Sequence, residues 1–306
     1  MRTRLLVVAI LTSALPTITG TAAAPVGVRM RHLVLHRSPG VTLQVDDLRG
    51  RLESRTAAVP VFDDVNSYLV AVDYAKVAIS ADSLTHLMND HVFSADDAPL
   101  KNVAIRVEDG QLVQSGVLKK GVAVPFTLRA TVAVAPDGRL RMHPTSLKAA
   151  GFLSKRVLDF FGLDLEKLLS TKHVTGLSVD GDDLLLDPTA ILPPPRMQGR
   201  LTHASIERGQ MWLQFGDSAA KTIEPPARRD GNYMYYRGGT LRFGKLTMND
   251  ADLLLTDNDP RDPFEFTPQA YKTQLVAGYS KNTNAGGLIV YMPDANDLKA
   301  EPRKPS

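Results

Sequence analysis

Hydrophobic and polar positions alternate almost without interruption between Gly121 and Ala135. Successive side chains of a strand point to opposite faces, so this alternation gives the strand one apolar face and one more polar face. The alternation is longer than a usual strand of about five or six residues. It therefore predicts a long strand in a large, bent, antiparallel sheet with one apolar side. The apolar positions are Val122, Val124, Phe126, Leu128, Ala130, Val132 and Val134.

Similar tight-turn signals recur along the chain and predict a meander of hairpins. Asp-Gly or Arg-Gly pairs stand between alternating segments at 109–110, 137–138, 180–181 and 208–209. Asp-Gly in this setting is among the strongest short-range hairpin signals. Further strands are predicted around the turn Ser38-Pro39-Gly40 and from Tyr68 toward Ile79, whereas residues 46–56 carry too short a pattern to decide between helix and strand.

Two segments have helical spacing of their apolar residues. Ser80 is placed as an N-cap before a stripe of Leu84, Leu87, Met88, His91 and Val92. A second helix is predicted from about Leu153 to Leu169, with Phe160 and Phe161 on a wide apolar face. Both helices are expected to pack against the sheet.

The C-terminal part of the chain is also predicted to be rich in β-strands, although its sequence pattern differs from that of the preceding hairpins. Residues 217–231 are polar and contain Pro225 and Pro226, which indicates a loop or linker before a segment spanning residues 232–298. Within that segment a turn is predicted at Arg237-Gly238-Gly239, followed by a strand through Leu241 and Met248. A short helix is expected around residues 268–276, and residues 299–306 are expected to form a disordered tail.

The first 24 residues have the layout of a cleavable secretory signal. A basic start with Arg2 and Arg4 precedes an apolar run from Leu5 to Leu15, and small residues follow at 21–24. The run is shorter than the roughly 20 residues a membrane-spanning helix needs. A periplasmic or secreted location is therefore expected.

The cysteine count and the charge balance exclude some classes of protein. The chain of 306 residues has no cysteine, so it cannot rely on disulfides or on acylation of cysteine. It carries 36 basic and 33 acidic residues; without Arg2 and Arg4 the balance is nearly neutral, which removes the electrostatic case for nucleic-acid binding.

No catalytic motif was found in the sequence. Gly-x-Ser-x-Gly, a phosphate-binding loop, Gly-x-Gly-x-x-Gly and His-Glu-x-x-His are all missing. His32 and His36 share a strand face but stand too far apart to bind one metal ion, at about 3.3 Å per residue. Calcium remains an alternative at Asp257, Asp259 and Asp262, although Asp is also a common turn former. We expect no catalytic residues, cofactor or metal, and keep a secreted hydrolase as an alternative.

Several short segments together resemble a family of exported bacterial proteins. Val107-Glu-Asp-Gly, Val124-Pro-Phe-Thr, Pro136-Asp-Gly-Arg-Leu-Arg, Phe160-Phe-Gly-Leu-Asp-Leu and Leu192-Pro-Pro-Pro-Arg follow one another in the chain. The succession, over about residues 28–216, is similar to the LmeA-type phospholipid-binding proteins, distant relatives of the tubular lipid-binding (TULIP) superfamily. Residues 232–298 lie outside the resemblance.

The resemblance implies an α+β, mainly β fold in which a long curved antiparallel sheet wraps around one or two helices and leaves an apolar groove for acyl chains. Together with the alternation, it leads to the hypothesis of an exported protein that holds phospholipid or a similar amphiphile, for lipid transfer or envelope maintenance, with a transient membrane contact. A structural or adhesive envelope protein with a filled core is the alternative. The expected lipid-binding residues are Leu87, Met88, Val122, Val124, Phe126, Leu128, Val132, Phe160 and Phe161.

Overall fold

A large sheet of eleven strands holds both the N-terminal and the C-terminal strands of the part of the chain that the structure describes. A computed structural model describes residues 24–56, 58–120, 122–149, 152–154, 176–226 and 231–298. The expected signal segment, nearly all of the expected second helix, and the C-terminal tail lie outside these residues.

The strands of the large sheet come from three regions of the chain. Its central strands are N-terminal: β1 (Val26–Ser38), β2 (Val41–Ser54) and β3 (Tyr68–Ser80). On one side follow β11 (Arg196–Gln198), β12 (Leu201–Glu207) and β13 (Gln210–Gly216), and on the other β14 (Tyr233–Phe243), β15 (Leu246–Asp257), β16 (Phe264–Phe266), β17 (Tyr279–Asn282) and β18 (Leu288–Met292). The main path of the sheet runs β12-β13-β3-β2-β1-β14-β15-β18-β17. Most neighbours are antiparallel, but β11 with β3, β16 with β1 and β18 with β15 are parallel pairs.

A smaller sheet of seven strands holds three of the four predicted hairpin turns. Its strands are β4 (Leu100–Glu108), β5 (Gln111–Lys120), β6 (Val122–Val134), β7 (Leu140–Ala149), β8 (Phe152–Ser154), β9 (Leu177–Asp180) and β10 (Asp183–Leu186). They follow the order β4-β5-β6-β7-β10-β9, with β8 also paired to β7. Each of the Asp-Gly turns joins two neighbouring antiparallel strands of this sheet. The fourth predicted turn, at Arg208-Gly209, joins β12 and β13 in the large sheet instead, so the predicted meander is divided between two sheets.

The long alternating segment forms strand β6 with the predicted bounds. Phe126, Leu128 and Ala130 are buried on the face the alternation assigned to the interior, and Val124 and Val132 are half-buried against the same core. The opposite face carries exposed residues such as Ala123 and Thr131. One-sided burial of a 13-residue strand is thus confirmed.

Short helices fill the space beside the sheets. Helix α1 (Ala81–Leu87) begins at Ser80, whose hydroxyl accepts a hydrogen bond from the Ser83 amide, and it continues as a π-helical turn at Met88–Val92. Leu84, Leu87 and Met88 are buried. Helix α2 (Pro188–Ile191) and helix α3 (Tyr271–Ala277), which follows a 3₁₀ turn at Pro268–Ala270, complete the described helices.

The structure corrects three local predictions and decides one that the sequence left open. The turn predicted at 237–239 does not form; β14 continues through Gly238 and Gly239, which adopt positive φ angles, and the hairpin closes at residues 244–245. Leu153 lies in strand β8 rather than at the start of a helix. Residues 46–54 continue β2, because they pair with both β1 and β3. His91 is exposed, not part of the buried stripe, because the π-helical turn changes the spacing of faces after Leu87.

The C-terminal strands complete the large sheet. β14 pairs with residues 27–31 of β1, and β16 pairs with residues 33–35 of the same strand. Met234 and Phe266 lie in one hydrophobic core with residues from both sheets. The polar segment 217–226 lies against this sheet, since the Arg29 guanidinium contacts Glu224.

Candidate functional site

Three apolar cavities follow one another through the interior. The small-sheet cavity, about 60 Å³, lies between α1 and the inner face of β4–β7, against Phe126 and Leu128. The middle cavity, about 40 Å³, lies where α1, α2 and β13 meet. The large-sheet cavity, about 50 Å³, lies against β1–β3 and β14.

Neighbouring cavities share wall residues, so the three form a line. The small-sheet and middle cavities share Met88 and Met211, together with Leu84, Leu140 and Leu186. The middle and large-sheet cavities share Met197, with Leu43 and Val77. Each partition therefore includes methionine, an unbranched side chain that repacks more readily than other apolar residues. The described interior thus holds three small, separate apolar cavities in a line, here called the apolar passage, and the walls shared by neighbouring cavities are here called partitions.

The predicted lipid-binding residues are partly brought together in this line. Phe126 and Leu128 line the small-sheet cavity, Leu87 lines the middle cavity, and Met88 lines both. Val124 and Val132 contact the surrounding core but line none of these three cavities. The backbone of Val122 begins β6, and Phe160 and Phe161 lie outside the described residues.

One charged side chain that the sequence reasoning missed lines the large-sheet cavity. Arg37 is only 3% exposed. Its Nη2 donates to the carbonyl oxygens of Pro193 and of Pro195, the latter at 2.7 Å. Its Nε–H is buried without an acceptor. Among the described residues no carboxylate lies within ion-pair distance of it, and burial lowers the pKa of Arg37 to about 10.

A second buried arginine in the same strand shows what an ordinary partnered site looks like. Arg29, 7% exposed, faces the other side of β1. Its guanidinium contacts Glu224 and lies 3.5 Å from the Asp47 carboxylate, so two carboxylates balance its charge, although its Nε–H, like that of Arg37, has no hydrogen-bond acceptor. The sequence signal for Arg37 was available, because Arg37 follows Leu33 and Leu35 at strand spacing and so faces inward with them.

An acidic cluster lies at the ends of β15 and β18. Carboxylate oxygens of Asp257, Asp262 and Asp294 lie within 4.8 Å of one another, and Asp257 and Asp294 are both buried. Burial raises the pKa of Asp257, and it raises the pKa of Asp294 to about 7. Asp294 Oδ1 accepts from the Glu265 amide at 2.7 Å, and Asp257 Oδ1 accepts from the Asp259 amide at 2.8 Å. These contacts give both carboxylates a role in holding the surrounding loops.

The calcium alternative had placed Asp259 in this cluster instead of Asp294. Asp259 instead pairs with Arg261, which lowers the pKa of Asp259 to about 2. Asp294, 32 positions beyond Asp262, reaches the cluster because β18 runs parallel beside β15. This long-range pairing carried no local sequence signal.

A polar groove of about 330 Å³ lies on the outer face of the large sheet, across β2, β3, β12 and β13. Asp46, Glu207 and Trp212 line it, and the Lys76 ammonium stands 4.9 Å from the centre of the Trp212 ring. Lys76 also pairs with Asp46 at 3.1 Å. Charged side chains of the protein therefore line the groove, and Lys76 is paired within it.

Comparison with known proteins does not place the chain in a family. No protein-family model matches it, and searches of the curated proteins and of the solved structures find no match either. Within the described residues, every helix is too short or too polar to span a bilayer.

Proposed function

We propose that this chain is an exported protein that holds the acyl chain of a phospholipid or a similar amphiphile in its apolar interior. The observation that carries the proposal is the line of three apolar cavities with methionine in both partitions. The signal-like N-terminal segment supports export, and the resemblance to LmeA-type proteins supports a lipid ligand.

Binding of such a ligand requires few polar contacts, because most of its binding free energy comes from burial of the acyl chain. Burial of an acyl chain yields about 0.8 kcal/mol per methylene. The walls of the middle cavity are apolar side chains, and the small-sheet cavity adds only Gln114 as a polar side chain. A site of this composition holds a chain by the same transfer free energy that builds a protein core.

The partitions decide whether a chain can occupy the passage. Each cavity is smaller than the roughly 150 Å³ that holds one benzene. A long chain therefore enters only when Met88, Met211 and Met197 move aside. In the absence of ligand these side chains close the passage and keep the interior near its native packing density.

Met197 offers the sharpest test, because it is half-buried and belongs to the partition between the middle and large-sheet cavities. The full chain, expressed with its own leader, is purified without detergent and its lipid content is measured by solvent extraction and native mass spectrometry. Wild type is expected to carry an amphiphile. Met197→Phe, which adds a rigid ring to the partition, is expected to lower the amphiphile content several-fold.

Met197→Leu is the matched control, since it conserves volume and is expected to keep the wild-type content. Wild-type protein that carries no amphiphile and takes up none from phospholipid vesicles would contradict the proposal. Equal content in the Phe and Leu variants would place the ligand outside the passage.

The small volume of each cavity favours a second candidate function, a structural or adhesive envelope protein with a filled core. That candidate predicts no amphiphile in any variant. It also predicts that Met197→Phe destabilises the fold by about 1–3 kcal/mol through overpacking, with no change in bound lipid.

A further inference from the structure

Among the residues that the structure describes, Arg37 places a positive charge at the end of the apolar passage with no carboxylate within ion-pair distance. Its side chain lines the large-sheet cavity, together with Tyr68 and Pro195. The described residues offer it two carbonyl oxygens, both from the Pro193–Pro195 segment and both bound to Nη2. The Nε–H donor remains unsatisfied.

A buried charge without a counter-charge is costly, and proteins usually pair it or bind an ion with it. Arg29 shows the paired arrangement in this same strand, with two carboxylates around its guanidinium. Arginine stays protonated at neutral pH even when burial lowers its pKa to about 10. Within the described part of the chain, the large-sheet cavity is thus lined by a buried cation that has no carboxylate partner.

We propose that Arg37 binds the carboxylate of a long-chain fatty acid whose alkyl chain lies in the line of apolar cavities. This inference rests on the proposed function, since it names the ligand class for the same passage. A guanidinium recognises a planar carboxylate through charge-assisted hydrogen bonds.

A carboxylate fits this position better than a phospholipid head group. Arg37 is 97% buried and the cavity next to it measures about 50 Å³. A phospholipid brings a phosphodiester, a glycerol and a second acyl chain, all of which would also need room beside the charge. A fatty acid brings only two oxygens to the cation and leaves one unbranched chain for the passage.

The test compares palmitate with hexadecanol, which has the same chain but no charge, on delipidated full-length protein by isothermal titration. Wild type is expected to bind palmitate about tenfold to a hundredfold more tightly, the range of one hydrogen bond to a charged group. Arg37→Met is expected to lower palmitate affinity to that of hexadecanol and to leave hexadecanol affinity unchanged. Arg37→Lys is expected to lie between them.

Arg196→Met is the matched control, because Arg196 is exposed and lies next to Met197 in β11; it should bind both ligands as wild type does. Equal affinity of wild type for the two ligands, or an equal loss of both in Arg37→Met, would overturn the inference and leave the proposed function standing. Failure of wild type to bind either ligand would overturn the proposed function as well. Competition of millimolar acetate or phosphate with palmitate at full strength would show a site for small free anions instead.

A measurement on wild type covers the case in which Arg37→Met does not fold. Palmitate labelled with 13C at its carboxyl carbon is bound and titrated with acid. The bound carboxyl is expected to remain ionised to a lower pH than the same carboxyl in a detergent micelle, since the cation favours the charged form. A titration midpoint equal to or above that in the micelle would contradict a contact with Arg37.

Discussion

At the scale of single residues, Asp294 links stability to pH in the opposite direction from an ordinary surface carboxylate. Its pKa is raised to about 7 in the folded state, because burial disfavours the charge and Asp257 and Asp262 lie nearby. The folded protein then holds a proton that the unfolded chain, with an aspartate pKa near 3.9, has already released. The proton on Asp294 therefore stabilises the folded state most below about pH 4. This contribution to the free energy of unfolding is lost as the pH rises through about 7.

We expect the free energy of unfolding to fall between about pH 4 and pH 7, by at most about 1.4 kcal/mol per pH unit for one proton. Asp294→Asn keeps the acceptor for the Glu265 amide but cannot ionise, so it should flatten this slope. Urea unfolding measured across this range, with a chelator present, checks it. The exposed Asp297→Asn should leave the slope as in wild type; an unchanged slope in Asp294→Asn would contradict the assignment.

The sequence predicted the positions of residues that are set by local spacing. It did not predict the positions of residues that are set by pairing with strands distant in the chain. Alternation assigned Phe126 and Leu128 to the interior, because a strand gives each residue a fixed side. It could have found Arg37 by the same rule. It could not place Asp294 beside Asp257, since the parallel pairing of their strands joins segments separated in the chain.

At the scale of elements, β14 carries two adjacent glycines that differ in their surroundings. Gly238 and Gly239 have φ angles of 77° and 57°. A Cβ on Gly238 would meet open space, whereas a Cβ on Gly239 would lie 2.4 Å from the carbonyl oxygen of Ala24. The pair gives the strand two successive positive φ angles without a change in register between β14 and β15.

Gly238→Ala is expected to cost about 1–2 kcal/mol, the usual cost of a side chain in the left-handed region. Gly239→Ala should cost more, because it adds a clash with backbone to the same conformational strain. Thermal and urea unfolding of the two variants gives the comparison. Equal destabilisation would show that the contact with Ala24 is relieved by movement of the N-terminal residues.

Elements with a local signature were predictable and those without one were not. Asp-Gly turns fix a hairpin by their own backbone preferences, and Ser80 caps α1 by its own hydroxyl. Short strands such as β11 and β17 exist because a neighbouring strand offers hydrogen bonds. The Gly-Gly pair in β14 led to a wrong prediction of a turn, because glycine can adopt positive φ angles within a strand as well as in a turn.

At the scale of the whole molecule, the interior depends on strands from both ends of the described chain. Met234, Tyr236 and Phe266 form part of the wall of the large-sheet cavity, opposite residues of β1 to β3. Removing the C-terminal strands would expose that wall and leave one edge of β1 without a partner.

A chain that ends at Pro226 is therefore expected to aggregate or to lack a cooperative thermal transition. A chain that ends at Leu298 is the control, because it keeps every described strand, and it should unfold as the full-length protein does. Circular dichroism and light scattering distinguish the two. A monomeric, cooperatively unfolding chain from the shorter variant would show that residues 232–298 are dispensable for the fold.

The pairing of β14 with β1 also has a consequence for the order of folding. About two hundred positions separate Arg29 from its partner Tyr235 in this ladder. Contacts between residues far apart in the chain form late, because the loop between them must close first. The hairpins of the small sheet can form while the rest of the chain is still being synthesised, but the large sheet cannot close until β14 has been made. The wall of the Arg37 cavity is accordingly among the last parts of the molecule to assemble.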